Sequence, residues 1–399
     1  MTPERAVIVG ASHAGAQLAA NLRREGWSGE VVLIGDEGGL PYHRPPLSKG
    51  YLAGKNGLDD LLIRGADFYE KQHIRLLNAT VEAIHRSAKR VSLSTGDTLT
   101  YTKLALCTGA RARRLPTPGV DLPGIHYLRT AADVELIRAA ATPGRRVVIV
   151  GGGYIGLETA ASLCSLGMNV TVLEATERVL ERVTAPEVSA FYTRIHRGEG
   201  VEIRTHALVE AFSGNGGVQE VVLADGESIP ADLVIVGVGV VPNTELASAA
   251  GLSVDNGIVI DDQARTSDPD IVAAGDCRSH TMARYGSRIR LESVSSAGEQ
   301  AKIAAATICG KHSAIAALPW FWSDQYDLKL QIAGLNAGYD ELLLSGDPSR
   351  DRDFSCFYFR EGELIAADCV NRPRDFMSSK RAISQQLRVD RSELLAGSI

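Results

Sequence analysis

The sequence predicts an α/β chain made of two copies of a parallel-sheet module, followed by a smaller α+β domain. Three observations predict it. Twice, an apolar run ending in glycine leads into a helix-periodic segment and a second apolar run. Each time a meander follows, closing on another apolar strand. From Trp320 the pattern changes to alternation at period two.

The elements justify this in order. Ala6–Gly35 reads as strand (AVIVG), glycine turn, helix (AQLAANLRREG) and strand (EVVLIG). Val147–Glu174 repeats the plan as VVIVG, glycine turn, LETAASLCSLG and NVTVLE. Each is a βαβ unit of about 30 residues. Thr80–Gly109 and Leu208–Gly239 then each hold a hairpin and a return strand ending in glycine, with turns at Thr95-Gly96-Asp97 and Asp225-Gly226-Glu227. The expected division is residues 1–112 with 244–319 as one Rossmann-like domain, 113–243 as a second and 320–399 as a third, α+β domain. The joints fall at Arg111–Pro118 and Val241–Asn243, a helix near Ala297–Gly310, and a last helix at Pro373–Leu387.

Composition narrows the function. With 399 residues, 45% hydrophobic and 23% charged, the chain has the profile of an ordinary globular protein. A net charge of −6 argues against nucleic-acid binding. No apolar run reaches the ~18 residues of a membrane span. A strand starts within about five residues of Met1, leaving no room for a signal peptide, so the expected location is the cytoplasm. The six cysteines are scattered with no C-x-x-C. That excludes a zinc ribbon, a cysteine-ligated iron–sulfur cluster and a thioredoxin-type dithiol, and the thiols read as small buried hydrophobes.

The glycine turns carry the first chemistry. Gly10-Ala11-Ser12-His13-Ala14-Gly15 fits G-x-G-x-x-G except that Ser12 replaces the second glycine. That position lets backbone approach a pyrophosphate, so the small serine is expected to be accommodated with its hydroxyl turned to a phosphate. The following helix aims its N–H groups and positive end at the anion. Asp36 ends the second strand, where an acid accepts from ribose hydroxyls. His13 reads as a solvated or helix-end residue, not a catalyst. Gly151-Gly152-Gly153-Tyr154-Ile155-Gly156 is a full match, and Glu174 stands 18 residues beyond its last glycine. A carboxylate there accepts from both adenosine ribose hydroxyls and repels a 2′-phosphate, and no arginine follows within three residues, so NADH is expected over NADPH. Two dinucleotide sites in one chain point to a resident flavin and a visiting nicotinamide.

Further motifs carry a family resemblance: PYHRPPLSKGYL (Pro41–Leu52), CTGA (Cys107–Ala110), IVGGGYIGLE (Ile149–Glu158), RVLERVTAPEVSAFY (Arg178–Tyr192), TSDPDIVAAGDC (Thr266–Cys277) and PWFWSDQ (Pro319–Gln325). Over essentially its whole length the chain resembles the FAD-dependent NADH:ferredoxin reductases of bacterial oxygenase systems. The resemblance implies a glutathione-reductase-like two-domain flavoprotein fold. It implies FAD and NADH as cofactors, with hydride passing from NADH to the flavin and single electrons on to a [2Fe-2S] ferredoxin. That ferredoxin feeds an oxygenase, expected to be a cytochrome P450.

The same resemblance implies residue roles. Asp276 would bond the flavin ribitol; the alternative is that it caps the next helix. Arg129, Ala14, Val81 and Val294 match FAD contacts, and Thr108-Gly109 closes a return strand against the cofactor. Lys49 and Glu158 match an ion pair beside the isoalloxazine, where the lysine stabilises charge on the reduced ring. Glu158 also reads as a first-turn acid favoured by the helix dipole. Gly239, Tyr154 and Ile155 join the nicotinamide side, and Arg182 its adenosine end. Trp320 and Trp322 would lie near the flavin and the ferredoxin docking face, with core packing as the alternative. Lys302, Lys380, Arg64 and Arg75 are candidates for a basic patch facing an acidic ferredoxin, with ordinary solvated surface as the alternative for each. Other acceptors stay open at this point (rubredoxin, a dioxygenase ferredoxin, monodehydroascorbate), as does a flavin sensor resembling apoptosis-inducing factor.

Overall fold

A computed structural model describes residues 4–395. The chain forms two compact units, each discontinuous in sequence. Unit 1 is Met1–His43, Asp59–Arg111 and Val241–Pro319. Unit 2 is Arg44–Leu58, Ala112–Val240 and Trp320–Ile399. The PPLSK segment and the C-terminal sheet therefore pack with the second module.

In unit 1 five strands form a parallel sheet in the order Ile271–Ala273, Lys103–Leu106, Arg5–Val9, Glu30–Gly35, Ile74–Asn78. The central strands are uninterrupted Val/Ile/Leu/Ala because a parallel sheet covered on both faces offers no polar side. Helix His13–Glu25 lays Leu18 and Leu22 on the sheet, and helix Val294–Ile308 packs against it. Each such leucine, fully buried, contributes about 1.5–3 kcal/mol. A three-stranded antiparallel meander, Val81–His85, Arg90–Leu93 and Thr98–Thr100, joins the same core.

Unit 2 repeats this plan with strands Glu202–Arg204, Asn169–Leu173, Arg146–Val150, Leu233–Val236 and Ile125–Tyr127. Its meander is Val209–Ser213, Glu220–Leu223 and Ser228–Pro230. The repeat extends to detail. Register slips at Val81/Ala83 in one meander and at Val209/Ala211 in the other. Both tight turns fall where expected, with Gly96 at φ +85° and Gly226 at φ +89°.

From Trp320 a five-stranded antiparallel sheet runs in the order Trp320–Gln325, Leu328–Gly334, Glu363–Val370, Phe354–Arg360, Glu341–Ser345. Helix Pro373–Gln385 covers it, and its edge strand Trp320–Gln325 lies on helix Tyr154–Ser165. Among the described residues no helix is long and apolar enough to cross a membrane.

Candidate active site

In unit 1 the apolar strand Arg5–Val9 delivers the chain to Gly10 at φ +110°. A Cβ there would stand 2.1 Å from the Cys107 carbonyl oxygen, and one on Gly15 would stand 1.9 Å from that of Gly10. Only glycine allows so tight a turn into the helix. Ser12 is the N-cap, in extended conformation; its side chain makes no capping bond, and the first turn holds no acid. The helix therefore presents its N-terminal N–H groups and positive end to an incoming anion. Asp36 follows the second strand and is exposed.

The neighbouring strand ends converge on the same edge. Gly275, at φ +88°, holds its backbone against Ala14, whose Cβ is 3.0 Å from where a Cβ would stand. Its N–H donates to the side-chain Oε1 of buried Gln300 at 2.8 Å. Half-exposed Asp276 comes next and leads into strand Arg278–Met282, while the following helix is capped by Ser293. The helix-capping alternative for Asp276 is thus set aside. Val81 is buried, and Val294 opens the helix that follows.

Asn243 is a residue that sequence reasoning had placed only at a joint. Its side chain donates to the Thr108 carbonyl at 2.8 Å, its N–H to that of Gly109 at 3.0 Å, and its carbonyl accepts from the Thr108 hydroxyl at 2.7 Å. It locks the end of the return strand. His13 is corrected: it starts the helix but is buried, with Nε2 3.0 Å from His43 Nδ1. Burial, helped by Arg64, lowers the His43 pKa. Arg64 is corrected too. It donates to Gln17 at 2.9 Å and lies over the Phe68 ring, so it is a packed residue, not a free docking cation. Lys302 is exposed; Arg75 is exposed and lies 3.7 Å from Glu30.

In unit 2 the second glycine loop has the same internal geometry. Gly151 sits at φ +112°, its Cβ position 2.4 Å from the Gly237 carbonyl; that of Gly156 is 2.0 Å from Gly151's. A Cβ on Gly153 would meet nothing within 4 Å, so this stretch of backbone faces open space. The helix again has no side-chain cap and no acid in its first turn.

Glu174 is held in place: Oε2 accepts from the Gly152 N–H at 2.8 Å, and Oε1 from the Thr176 N–H at 2.9 Å and hydroxyl at 2.8 Å. Arg178, the nearest following arginine, is occupied. It donates to the Thr184 and Glu181 carbonyls and the Ser189 hydroxyl at 2.6–2.9 Å. Exposed Arg182 reaches to within 3.9 Å of where a Gly239 Cβ would stand, so those two candidates come together. Ile155 is exposed, and the Tyr154 ring lies 4.8 Å from Phe321.

The third grouping lies wholly within unit 2. Lys49 Nζ is 2.7 Å from Glu158 Oε2, and Glu158 is only 2% exposed. The first-turn reading of Glu158 is corrected: the helix begins at Tyr154, its first turn is free of acids, and Glu158 is buried one turn in. What supports a buried carboxylate is hydrogen bonding, not the dipole. Ser48 Oγ donates to Oε2 at 2.5 Å and Ser323 Oγ to Oε1 at 2.6 Å. The Ser48 carbonyl in turn accepts from Ser162 of the same helix at 2.7 Å. Pro45 and Pro46 preset the 3₁₀ turn that presents Ser48 and Lys49.

Beside this cluster, Trp320 and Trp322 are half-exposed rings 5.5 Å apart, and Lys380 Nζ lies 4.7 Å over Trp320. Neither tryptophan is core. Arg129 precedes a capping box in which Thr130 and Asp133 cap each other's backbone, and its carbonyl accepts from Arg44 at 2.8 Å. Burial raises the pKa of all six cysteines, which holds them as thiols, the inert form.

Against known proteins, residues 4–301 match the family model "Pyridine nucleotide-disulphide oxidoreductase" and residues 320–398 match "Reductase C-terminal". The chain is 47% identical to "Putidaredoxin reductase CamA" of Pseudomonas putida, over 97% of this chain and 93% of that protein. The putidaredoxin reductase–putidaredoxin covalent complex superposes with a TM-score of 0.95 at 45% identity, covering 99% of each chain. The ferredoxin reductase for the CYP199A2 system from Rhodopseudomonas palustris gives 0.95 at 40% identity, covering 98% of this chain and 97% of that one.

Proposed function

From the premise that the chain belongs to the pyridine nucleotide-disulphide oxidoreductase family, we propose that it is an NADH-dependent flavoprotein reductase that passes electrons through FAD to a [2Fe-2S] ferredoxin. That ferredoxin feeds an oxygenase, a cytochrome P450. The cytoplasm is its place of work. We divide the labour as FAD on residues 1–112 and 244–319, NADH on 113–243, and ferredoxin-side residues within 320–399.

The residues fit both nucleotides. Unit 1 offers an uncapped, acid-free helix terminus, an exposed strand-end acid in Asp36, and Asp276 on the strand-end turn. Unit 2 offers the open backbone at Gly153 and the fixed carboxylate of Glu174. FAD, when bound, accepts electrons as a pair from NADH and releases them singly. Every other task belongs to side chains. Glu174 holds the ribose hydroxyls and, with Arg178 occupied, leaves a 2′-phosphate facing an acid with no cation. Lys49 would supply positive charge to a bound flavin as it gains negative charge, and Glu158 fixes that ammonium in direction. Trp322, half-exposed beside Trp320, would be an aromatic neighbour of the flavin when FAD is bound. The inert thiols offer no sulfur relay beside the nucleotide sites.

The observation that carries this reading is the Lys49–Glu158 pair: a buried carboxylate with three partners, aiming one lysine. Its test is stopped-flow bleaching of the FAD-loaded protein by NADH, followed by reoxidation with a [2Fe-2S] ferredoxin. Lys49→Ala should slow bleaching roughly 100- to 1,000-fold, the range for removing one preorganised electrostatic stabiliser. A wild-type rate would remove Lys49 from the mechanism. No reoxidation by any ferredoxin would remove the acceptor.

A further inference from the structure

The Lys49–Glu158 pair ends a longer polar chain buried in unit 2. Ser323, on strand Trp320–Gln325, reaches Glu158 at 2.6 Å. Two residues along, on the same strand face, Gln325 Nε2 lies 3.2 Å from Ser323 Oγ. Gln325 Oε1 lies 2.8 Å from His196 Nε2, on helix Pro186–Gly198, and His196 Nδ1 lies 3.1 Å from the Tyr326 hydroxyl. Ser323 and His196 are 0% exposed and Gln325 1%.

The chemistry of these groups fixes the direction of every bond. The Glu158 carboxylate, facing Lys49, accepts, so Ser323 commits its one proton to it. The Ser323 oxygen then accepts from the Gln325 amide N–H, which turns the Gln325 carbonyl toward His196. A carbonyl accepts only, so His196 carries its proton on Nε2. Burial lowers the His196 pKa to about 4, leaving the ring neutral near pH 7 with Nδ1 free to accept from Tyr326. All the donors point one way, and aligned bonds in a dry interior polarise one another.

We propose that Ser323, Gln325 and His196 form a one-directional hydrogen-bond chain, starting at Tyr326, that positions the Glu158 carboxylate and, through it, the Lys49 ammonium. These are positioning residues, acting through Glu158 and Lys49, and their effect is on the rate of flavin reduction. The inference rests on the reading of Lys49 above.

The test uses the FAD-loaded protein and stopped-flow reduction across a range of NADH concentrations, which separates the limiting rate from NADH affinity. Ser323→Ala removes one bond to a charged group and should lower the limiting rate about tenfold, with NADH affinity held within about twofold. Ser323→Thr, which keeps the hydroxyl, should restore the rate. Gln325→Leu, one step further out, should lower the rate less, about threefold. A Ser323→Ala rate within twofold of wild type overturns the proposal, and so does a loss shared equally between rate and affinity that Thr does not rescue. If Ser323→Ala does not retain FAD, Gln325→Leu decides alone, and a wild-type rate there overturns the proposal. Wild-type protein that NADH fails to bleach overturns the reductase reading; normal bleaching with unaffected variants overturns the chain only.

Discussion

The two glycine-loop modules share a strand order but differ in how far each site is preset. In unit 2 the strand-end acid is locked before any ligand arrives, Glu174 taking three hydrogen bonds from Gly152 and Thr176. In unit 1 Asp36 is exposed, and it is the next residue, Glu37, that takes the Tyr42 hydroxyl. Ordering a side chain on binding costs about 0.5–1.5 kcal/mol. A dinucleotide that comes and goes meets that cost at every turnover, whereas one that stays meets it once. On the proposed division of labour, the preset acid suits visiting NADH and the unset one resident FAD.

The largest effect should come from the position the modules share most closely. Gly156→Ala puts a Cβ 2.0 Å from the Gly151 carbonyl, and Gly15→Ala one 1.9 Å from that of Gly10. Neither backbone atom can yield, so each loop must open. Gly156→Ala should abolish NADH binding while the protein stays yellow. Gly15→Ala should yield protein without FAD. Absorbance at flavin wavelengths and NADH titration read both; colour lost in both variants would show that the modules do not divide the nucleotides.

Next in size is the acid itself. Glu174→Ala removes the proposed ribose contact and also frees the Gly152 and Thr176 N–H groups it had ordered. NADH affinity should fall about tenfold, with most of the preference over NADPH lost. Asp36→Ala disturbs nothing preset, so FAD retention should weaken by less than that. Equal losses in titrations of the two variants would erase the distinction drawn above.

What was legible in the sequence follows from the range of each signal. The βαβ units, the meanders and both turns are local patterns of apolar period and glycine, and they lie where those patterns put them. The site was half legible. Gly10, Gly15, Gly151, Gly156 and Glu174 carry their roles in their own neighbourhoods. Ser48, Ser323, Gln325 and His196 do not, because their partners are brought together only by folding: Ser323 and Glu158 stand 165 positions apart, Gln325 and His196 129. Asn243 and Thr108 are separated by 135. The Arg278–Met282 strand was missed because its buried residues include Arg278, Ser279 and His280, so it shows no apolar alternation. Glu158 was rightly paired with Lys49 but wrongly placed in the first turn of its helix, because a buried acid and a capping acid look alike until the helix start is known.

The smallest effect should come from the one motif glycine that the two loops do not share. Ser12 and Gly153 are both N-caps in extended conformation, and neither makes a side-chain capping bond. A Cβ on Gly153 would meet no protein atom within 4 Å, so Gly153→Ser leaves the fold untouched and any loss reports the nucleotide alone. Unit 1 already carries a serine there. If the pyrophosphate sits at the same depth in both loops, Gly153→Ser and Ser12→Gly should each change affinity, for NADH and FAD respectively, by about threefold or less, within one neutral hydrogen bond. A loss of a hundredfold in Gly153→Ser alone would mean that NADH presses against the backbone where FAD does not, and the two loops would then differ in depth as well as in the setting of their acids.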